Sequence, residues 1–210
     1  DYSEDYNELL EIIVKFRKKF NEIKIIRNKT NQGPGYSRNL GIKKAISQYI
    51  AFLDSDDYWF KDKIKIQLEI LEKNPNIDML CTLNEFTSNQ NRKLLKLNLI
   101  SMLFTNYIFT SSVILKKNNL FFKETHYCED YFLWINMLIA KYNIYRLNIK
   151  LVSNIHNKNN NINLTSKKIL MHSSLQKIFI SLYTKLPTLF ILIIFAQLLA
   201  LLKFLIKLLK

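Results

Sequence analysis

Three carboxylates stand within four residues, at Asp54, Asp56 and Asp57, directly after an apolar run. Charges this close repel by about 1 kcal/mol per pair at the dielectric of a protein surface, so we expect a compensating partner. A helix start would account for one or two of the acids, because acidic side chains cap helices and suit their dipole. A calcium loop of the EF-hand type is excluded, because its sixth and twelfth positions are Trp59 and Lys65 instead of Gly and Glu.

A divalent metal is the other partner that this acidic turn could have. Two carboxylates separated by one residue can reach a single Mg²⁺ or Mn²⁺, hard ions that take oxygen ligands from a protein and a diphosphate together. Open α/β sheets also bind their ligands at the carboxyl ends of strands, which is where this turn lies. The turn therefore predicts either a helix cap or a site for a metal-bound diphosphate.

Alternating helices and strands must position this turn. Helical spacing of apolar residues predicts helices over residues 7–20, 36–47, 61–74 and 129–142. Short apolar runs predict strands over residues 22–28, 49–53, 77–83, 110–117 and 143–153. Strands that alternate with helices of this length indicate βαβ units and a mostly parallel sheet.

The C-terminal tail differs in character from the rest of the chain. Residues 186–202 carry no charge, and Lys203, Lys207 and Lys210 then fall on one face of the same helix. Seventeen uncharged residues are at the lower limit for crossing a bilayer, and a lysine-edged apolar helix is typical of interfacial attachment. We expect a helical, membrane-associating tail over residues 166–210, with a buried core helix as the alternative.

Charge and cysteine content limit the partners. The formal net charge of +14 over 210 residues favours an anionic partner such as a membrane surface or a phosphorylated ligand. A general enrichment in Lys, Asn and Ile explains part of this charge without any binding role. No basic stripe interleaved with aromatic residues occurs, so we expect no nucleic-acid partner. Cys81 and Cys128 lie far apart, which fits a reducing compartment.

The stretch NQGPGYSRNLGIKKAISQYIAFLDSDDYWFKDKIKIQLEIL (residues 31–71) resembles the nucleotide-sugar-binding half of family 2 glycosyltransferases. The matching elements are the N-x-G loop, the SRN-x-G helix start and the D-S-D-D-x-W turn. TSSVILKKNNLF and CEDYFLW resemble the family's acceptor-side strand and its E-D-x-x-L-W helix start, and DYSEDYNE resembles the end of its D-D-x-S-x-D segment. The resemblance covers residues 1–165 and implies an α/β domain of the Rossmann-like GT-A fold.

The resemblance also implies roles for individual residues. Asp130 corresponds to the catalytic base that deprotonates the acceptor hydroxyl. Asp56 and Asp54 correspond to the pair that holds Mn²⁺ or Mg²⁺ against the diphosphate, and Asp54 also to a contact with the ribose or a metal-bound water. Asp57 corresponds to a residue that steadies the turn or contacts the donor sugar, and Arg38 to a donor-binding residue near the phosphates or the sugar. As alternatives, Arg38 could be a surface arginine, and Glu129 and Asp130 could be favourable acids in a first helical turn.

Two further assignments lie at the margins of the resemblance. Asp1 corresponds to an acid that ends the family's D-D pair and contacts the donor. His156 corresponds loosely to a histidine that some members place near the diphosphate, as a metal ligand, and could instead be an ordinary loop residue. Family members begin with a strand, a P-x-Y-N turn, a helix and a second strand before the position of Asp1. We therefore expect the N-terminal strand–helix–strand unit to be absent.

Together these assignments predict a metal-dependent, inverting glycosyltransferase. Its donor is a nucleotide-diphosphate sugar, and its acceptor is a glycan or a lipid-linked glycan. The apolar tail places it at the cytoplasmic face of the cell membrane, in the synthesis of a cell-surface polysaccharide. The alternative is a non-catalytic, membrane-associated remnant or scaffold that retains the fold.

Overall fold

The computed structural model describes residues 6–20, 22–84, 91–154 and 164–208. The helices in these ranges are α1 (Tyr6–Phe16), α2 (Pro34–Lys44), α3 (Lys63–Lys73), α4 (Leu99–Phe104), α5 (Glu129–Ile139), α6 (Leu164–Lys185) and α7 (Phe190–Leu208). The strands are β1 (Tyr49–Ala51), β2 (Asp57–Trp59), β3 (Met79–Asn84), β4 (Leu94–Lys96), β5 (Ile114–Lys116) and β6 (Ile144–Asn154). The four predicted helices before the tail are all present, with shifts of a few residues at their ends.

The strands form one mixed sheet in the order β1-β5-β3-β6-β2, with β4 paired to β6. Among the described strands only β3 and β6 pair in parallel, and the other four pairings are antiparallel. The prediction of an α/β fold is confirmed, but the prediction of a mostly parallel sheet is wrong. β1 and β3 run in the same direction, as a βαβ unit requires, but β5 inserts between them and runs opposite to both. A helix–strand pattern shows where strands lie but not which strands become neighbours.

Two further strand predictions need correction. Residues 22–28 form no strand, and Ile25 and Ile26 are exposed. An isoleucine-rich run becomes a strand only where a neighbouring strand supplies hydrogen-bonding groups, and within the described part of the chain β1 pairs with β5 alone. Of the predicted strand 110–117, Thr110–Ser112 is a 3₁₀ turn and only Ile114–Lys116 is a strand.

The core lies on both faces of the sheet. In β3, Met79 and Cys81 pack into a cluster shared with α5 and the two C-terminal helices, whereas Leu80 packs with Leu71 of α3. Alternate residues of a strand point to opposite faces, so β3 is covered on both sides. The result is a helix–sheet–helix sandwich that fixes the ends of the strands.

The tail forms a helical hairpin on this sandwich. α6 and α7 are joined by a 3₁₀ turn at Pro187–Leu189, and their inward residues Ile178, Phe179 and Ile193 belong to the main core cluster. The stretch Pro187–Leu208 is long and apolar enough to cross a membrane by length and composition, with a mean hydropathy of 2.7, and 11% of its most apolar part is buried. The division of the chain at residue 165 stays a prediction.

Candidate functional site

The acidic turn connects β1 to β2 at one end of the sheet. Asp54 and Asp56 lie in the turn, its backbone closed by a hydrogen bond from the Asp57 amide to the Asp54 carbonyl (3.1 Å), and Asp57 begins β2. Arg38 lies in the second turn of α2 and Asp130 in the first turn of α5. These five predicted site residues therefore come from three elements. Asp1 and His156 lie outside the described residues, so their assignments stay predictions.

Arg38 joins the acidic turn to the start of α5. Its Nη2 lies 2.7 Å from Asp54 Oδ1, and its Nη1 lies 2.7 Å from Glu129 Oε1. Burial lowers the pKa of Arg38, but Asp54 and Glu129 outweigh this effect and raise the pKa above its ordinary value. Its side chain is 15% exposed, which rules out the alternative of a surface arginine. The guanidinium geometry suits two carboxylates approaching from different sides.

A close helix contact makes this bridge possible. Gly35, in the first turn of α2, lies very near the backbone that leads into α5. A Cβ added to Gly35 would stand 2.2 Å from the Lys123 carbonyl oxygen and 3.3 Å from Glu129 Cβ. Asn39, one turn further on, exchanges hydrogen bonds with the backbone of Phe122 (2.8 and 2.9 Å). α2 is therefore fixed against the segment that leads into α5, with Arg38 between them.

Ser111 holds the acidic turn in place through three hydrogen bonds. Its hydroxyl donates to Asp57 Oδ2 (2.5 Å) and accepts from the Asp54 amide (3.0 Å), and its carbonyl accepts from Trp59 Nε1 (2.7 Å). Burial raises the pKa of Asp57, with the nearby Asp56 and Asp54 acting in the same direction and Ser111 opposing them. Asp57 is buried, which indicates a supporting role for this carboxylate; its predicted donor contact stays a prediction.

Asp130 is held by two donors. Its Oδ1 accepts from the Tyr131 amide (2.7 Å) and its Oδ2 from the Thr110 hydroxyl (3.2 Å). Burial raises the pKa of Asp130, and the adjacent Glu129 adds to this effect. Cys128, the residue before α5, has left-handed backbone geometry with φ of 57°, an uncommon conformation for a residue with a side chain. A fixed carboxylate with a raised pKa fits the predicted role as a base.

The assignment of Asp54 and Asp56 as metal ligands stays a prediction. Asp56 is exposed, and its carboxylate makes no hydrogen bond or ion pair within the described ranges. Asp54 has Oδ1 against Arg38, so its Oδ2 is the oxygen left for an ion. No cluster of three or more His, Cys, Asp or Glu in the described part of the chain is arranged to hold a metal. These residues fit an ion that takes two protein carboxylates and completes its shell with phosphate and water.

A buried lysine lies behind the acidic turn. Lys63, at the start of α3, is fully buried, and its Nζ lies 4.4 Å from the centre of the Trp59 ring. Nζ has no hydrogen-bond partner within the described residues. Burial lowers the pKa of Lys63 to about 7, with Cys81 opposing the shift slightly. The turn is therefore attached to α3 through Trp59 and an amine that is partly neutral at neutral pH.

Glu129, Ser111 and Thr110 are site residues that sequence reasoning missed. The sequence shows Glu129 only as an acid in the first turn of a helix, and its place beside Asp130 is the one usable signal. Ser111 and Thr110 lie within a run assigned to a strand, where hydroxyl side chains give no distinct signal. Their partners lie 54 and 20 residues away in sequence, so only the fold reveals the contacts.

The fold and this site define the chain as an α/β domain of the GT-A type. In solved structures, S. aureus TarS (residues 1–349, in complex with UDP-GlcNAc) matches with a TM-score of 0.62 and 20% identity, over 84% of this chain and 54% of that one. Residues 1–143 match the profile described as "Glycosyl transferase family 2". The chain belongs to glycosyltransferase family 2, as its sequence motifs predicted.

Two curated relatives agree with this membership. An uncharacterized glycosyltransferase of Rickettsia conorii is 53% identical over 72 residues, which are 34% of this chain and 11% of that protein. The Escherichia coli UDP-Glc:alpha-D-GlcNAc-diphosphoundecaprenol beta-1,3-glucosyltransferase WfgD is 32% identical over 124 residues, covering 55% of this chain and 48% of WfgD. This chain therefore spans half or less of the length of these relatives.

Proposed function

We propose that this chain supplies the donor-side turn and the catalytic base of an inverting glycosyltransferase. The observation that carries the proposal is the Arg38 bridge, which brings Asp54 of the acidic turn and Glu129 of α5 to one guanidinium. Thr110, which donates to Asp130, is followed directly by Ser111, which donates to Asp57, so the predicted base and the acidic turn are anchored to the same segment. A carboxylate turn joined through shared contacts to a separate base is what a sugar transfer requires.

The proposed reaction is a single displacement at the anomeric carbon. The bond from this carbon to the leaving diphosphate oxygen breaks while a bond to the acceptor hydroxyl oxygen forms, and the hydroxyl proton passes to Asp130. Thr110 and the Tyr131 amide hold the Asp130 carboxylate in place, and its raised pKa strengthens it as a proton acceptor. Asp57, held by Ser111, fixes the turn from which Asp54 and Asp56 project.

A divalent ion, Mn²⁺ or Mg²⁺, is the proposed cofactor. When bound, it would neutralise charge on the departing diphosphate. Asp56 and Oδ2 of Asp54 would hold it, because neither the Asp56 carboxylate nor Asp54 Oδ2 has a hydrogen-bond or ion-pair partner in the described structure. Arg38 would keep Asp54 oriented and is proposed to lie near the donor phosphates.

The relatives support the proposed substrates. The name of WfgD specifies UDP-Glc as its donor and a sugar on diphosphoundecaprenol as its acceptor, and a TarS structure contains UDP-GlcNAc. We therefore propose a uridine-diphosphate sugar and a lipid-linked glycan for this chain, at the cytoplasmic face of the membrane in the synthesis of a surface polysaccharide. The exposed apolar face of α7 supports membrane association.

Sugar transfer from a set of labelled UDP-sugars to a lipid extract, with Mn²⁺ present, tests the proposal. We expect Asp130→Asn to lower kcat by about 100-fold or more while UDP binding is kept, because only proton removal is lost. We also expect kcat/KM of the parent to fall as the pH decreases through the raised pKa of Asp130. Transfer that is unaffected by Asp130→Asn would contradict the assignment of the base.

A further inference from the structure

A cleft of about 410 Å³ opens between the α4–α5 side of the domain and the α6–α7 hairpin, and Asp130 forms part of its wall. Cys128 Sγ lies 3.6 Å from the Met171 carbonyl oxygen, so the start of α5 stands against α6. The cleft therefore begins at the proposed base and continues along the hairpin. All the hairpin residues that line it lie beyond residue 143, where the match to the family ends.

The middle of the cleft is apolar. Its walls carry Leu103 and Phe104 of α4 together with Phe179 of α6 and Ala200 of α7. His172 stacks on Phe204 with ring centroids 4.2 Å apart, and burial lowers the pKa of His172, which favours the uncharged ring. The two alanines at positions 196 and 200 keep the α7 side open. A hydrocarbon chain would meet mainly carbon surface along these walls.

Three lysines, Lys168, Lys203 and Lys207, line the cleft at the open end of the hairpin, near the first residues of α6 and the last residues of α7. Lys168 Nζ donates to the Lys207 carbonyl (3.0 Å), and Lys203 Nζ donates to the Phe104 carbonyl (3.2 Å). Each of these two ammonium groups has three donors and uses one for these bonds, which fixes it at the wall and leaves donors for a ligand. Among the described residues that line the cleft, Asp130 is the single acid.

We propose that this cleft binds the phosphate groups and the first part of the hydrocarbon chain of a lipid-linked acceptor, with the lysines on the phosphates. The inference rests on the proposed function, because it explains how an acceptor sugar reaches Asp130. A neutral glycan would leave three lysines without an anion, and a free phosphate would leave the apolar wall without a partner. The exposed apolar face of α7 would hold the same hairpin against a bilayer, where such a lipid resides.

The lysine positions fit this order of groups. Met171, beside Cys128 and the start of α5, is three residues from Lys168, which is less than one helical turn. Lys203 and Lys207 are one turn apart on the same face of α7. In a lipid-linked sugar the phosphate is attached at the anomeric carbon, so an acceptor hydroxyl lies one sugar ring from the phosphates. Base and lysines on the wall of one cleft match this arrangement.

Calorimetric titration of the chain with farnesyl diphosphate, inorganic diphosphate and farnesol tests the inference. We expect farnesyl diphosphate to bind most tightly and the double change Lys203→Gln/Lys207→Gln to weaken it by about tenfold or more. Lys203→Arg/Lys207→Arg should retain binding, which separates a charge effect from misfolding. Lys177→Gln, an exposed lysine of α6 outside the cleft, is the matched control and should change nothing.

Three results would overturn the inference. Equal binding of inorganic diphosphate would show a free-anion site, and equal binding of farnesol would show a purely apolar one. A similar loss in Lys177→Gln would show general electrostatic attraction. A parallel titration with UDP and Mn²⁺ separates this inference from the proposed function. A chain that binds farnesyl diphosphate but not UDP would contradict only the proposed function.

Discussion

Arg38 forms two ion pairs that should contribute differently to the free energy of unfolding. The Glu129 side chain is 9% exposed and that of Asp54 is 37% exposed. A buried carboxylate without its partner is costly, whereas a half-exposed one is stabilised by water. The pair with Glu129 should therefore dominate the stability of the site, and the pair with Asp54 should act mainly on orientation.

Double-mutant cycles measured by urea denaturation test this ranking. We expect Arg38→Ala to lower the free energy of unfolding by about 3 kcal/mol, because Glu129 then stays buried without a cation. The coupling energy between Arg38→Ala and Glu129→Gln should exceed about 1 kcal/mol. The coupling between Arg38→Ala and Asp54→Asn should stay below about 1 kcal/mol. Equal coupling energies would show that burial does not decide the value of the two pairs.

Lys63 should make stability depend on pH in the basic range. Its pKa is about 7 in the folded chain, against an ordinary value of 10.5, so the unfolded chain holds a proton that the folded chain lacks between these pH values. The free energy of unfolding should then rise with pH between 7 and 10.5, by at most about 1.4 kcal/mol per pH unit. This contribution is complete above 10.5 and is lost as the pH falls to 7.

Urea denaturation of Lys63→Met at several pH values from 7 to 10 measures this effect. The change should abolish the contribution of Lys63 to the pH slope and stabilise the chain most at pH 7. Lys65→Met, an exposed lysine of the same helix, is the control and should keep the parental slope. Identical slopes in the two variants would contradict the lowered pKa of Lys63.

Single residues of the site differ in how far the sequence predicts them. Asp54, Asp56, Arg38 and Asp130 follow from short motifs, because their roles depend on residue type at fixed local spacing. Ser111 does not, because its value lies in two contacts with a turn more than fifty residues away.

At the scale of elements, α2 is positioned by its close approach to the segment before α5. Gly35 leaves no room for a side chain there, whereas an added Cβ at Gly41, in the same helix, would meet no atom within 4 Å. We expect Gly35→Ala to lower the free energy of unfolding by about 2 kcal/mol or more, because the Lys123 carbonyl must move. Gly41→Ala should be neutral or stabilise by about 0.5–1 kcal/mol through helix propensity.

Urea denaturation of these two glycine variants provides the measurement, with Gly41→Ala as the control within α2. Transfer or donor binding measured alongside should fall in Gly35→Ala, since α2 carries Arg38. Equal unfolding free energies for the two variants would contradict the close packing of α2 against the Lys123 backbone.

The elements themselves were predicted well where periodicity is strong and poorly where pairing decides. Helices α3 and α5 have long amphipathic patterns and appear within a few residues of their predicted bounds. Residues 22–28 carry the composition of a strand but find no strand neighbour in the described sheet. The insertion of β5 between β1 and β3 is equally invisible to local patterns, since pairing is a property of the whole sheet.

At the scale of the whole molecule, α7 presents an apolar stripe away from the core. Exposed residues recur at helical spacing along this face, namely Ile191, Phe195, Leu198, Leu202 and Leu205. An exposed apolar stripe on a chain of net charge +14 favours the surface of an anionic bilayer.

This surface can be tested by flotation with vesicles in which about one third of the lipid is anionic. Phe195→Glu/Leu202→Glu should weaken binding to the vesicles by about tenfold or more, because two charged side chains would then have to enter the apolar part of the interface. Val14→Glu/Ile46→Glu places the same charges at exposed apolar positions outside the hairpin and should have a smaller effect. Equal losses in the two double variants would show that binding depends on net charge alone.

The central claim is that the acidic turn holds a nucleotide diphosphate through a divalent ion. Calorimetric titration of this chain with UDP, with and without Mn²⁺, tests it most directly, and Asp62→Ala is the control because Asp62 is an exposed acid just beyond the turn. We predict binding that requires Mn²⁺, weakens by about tenfold or more in Asp56→Ala and is kept in Asp62→Ala. Absence of Mn²⁺-dependent binding, or equal binding by Asp56→Ala and the parent, would contradict the claim.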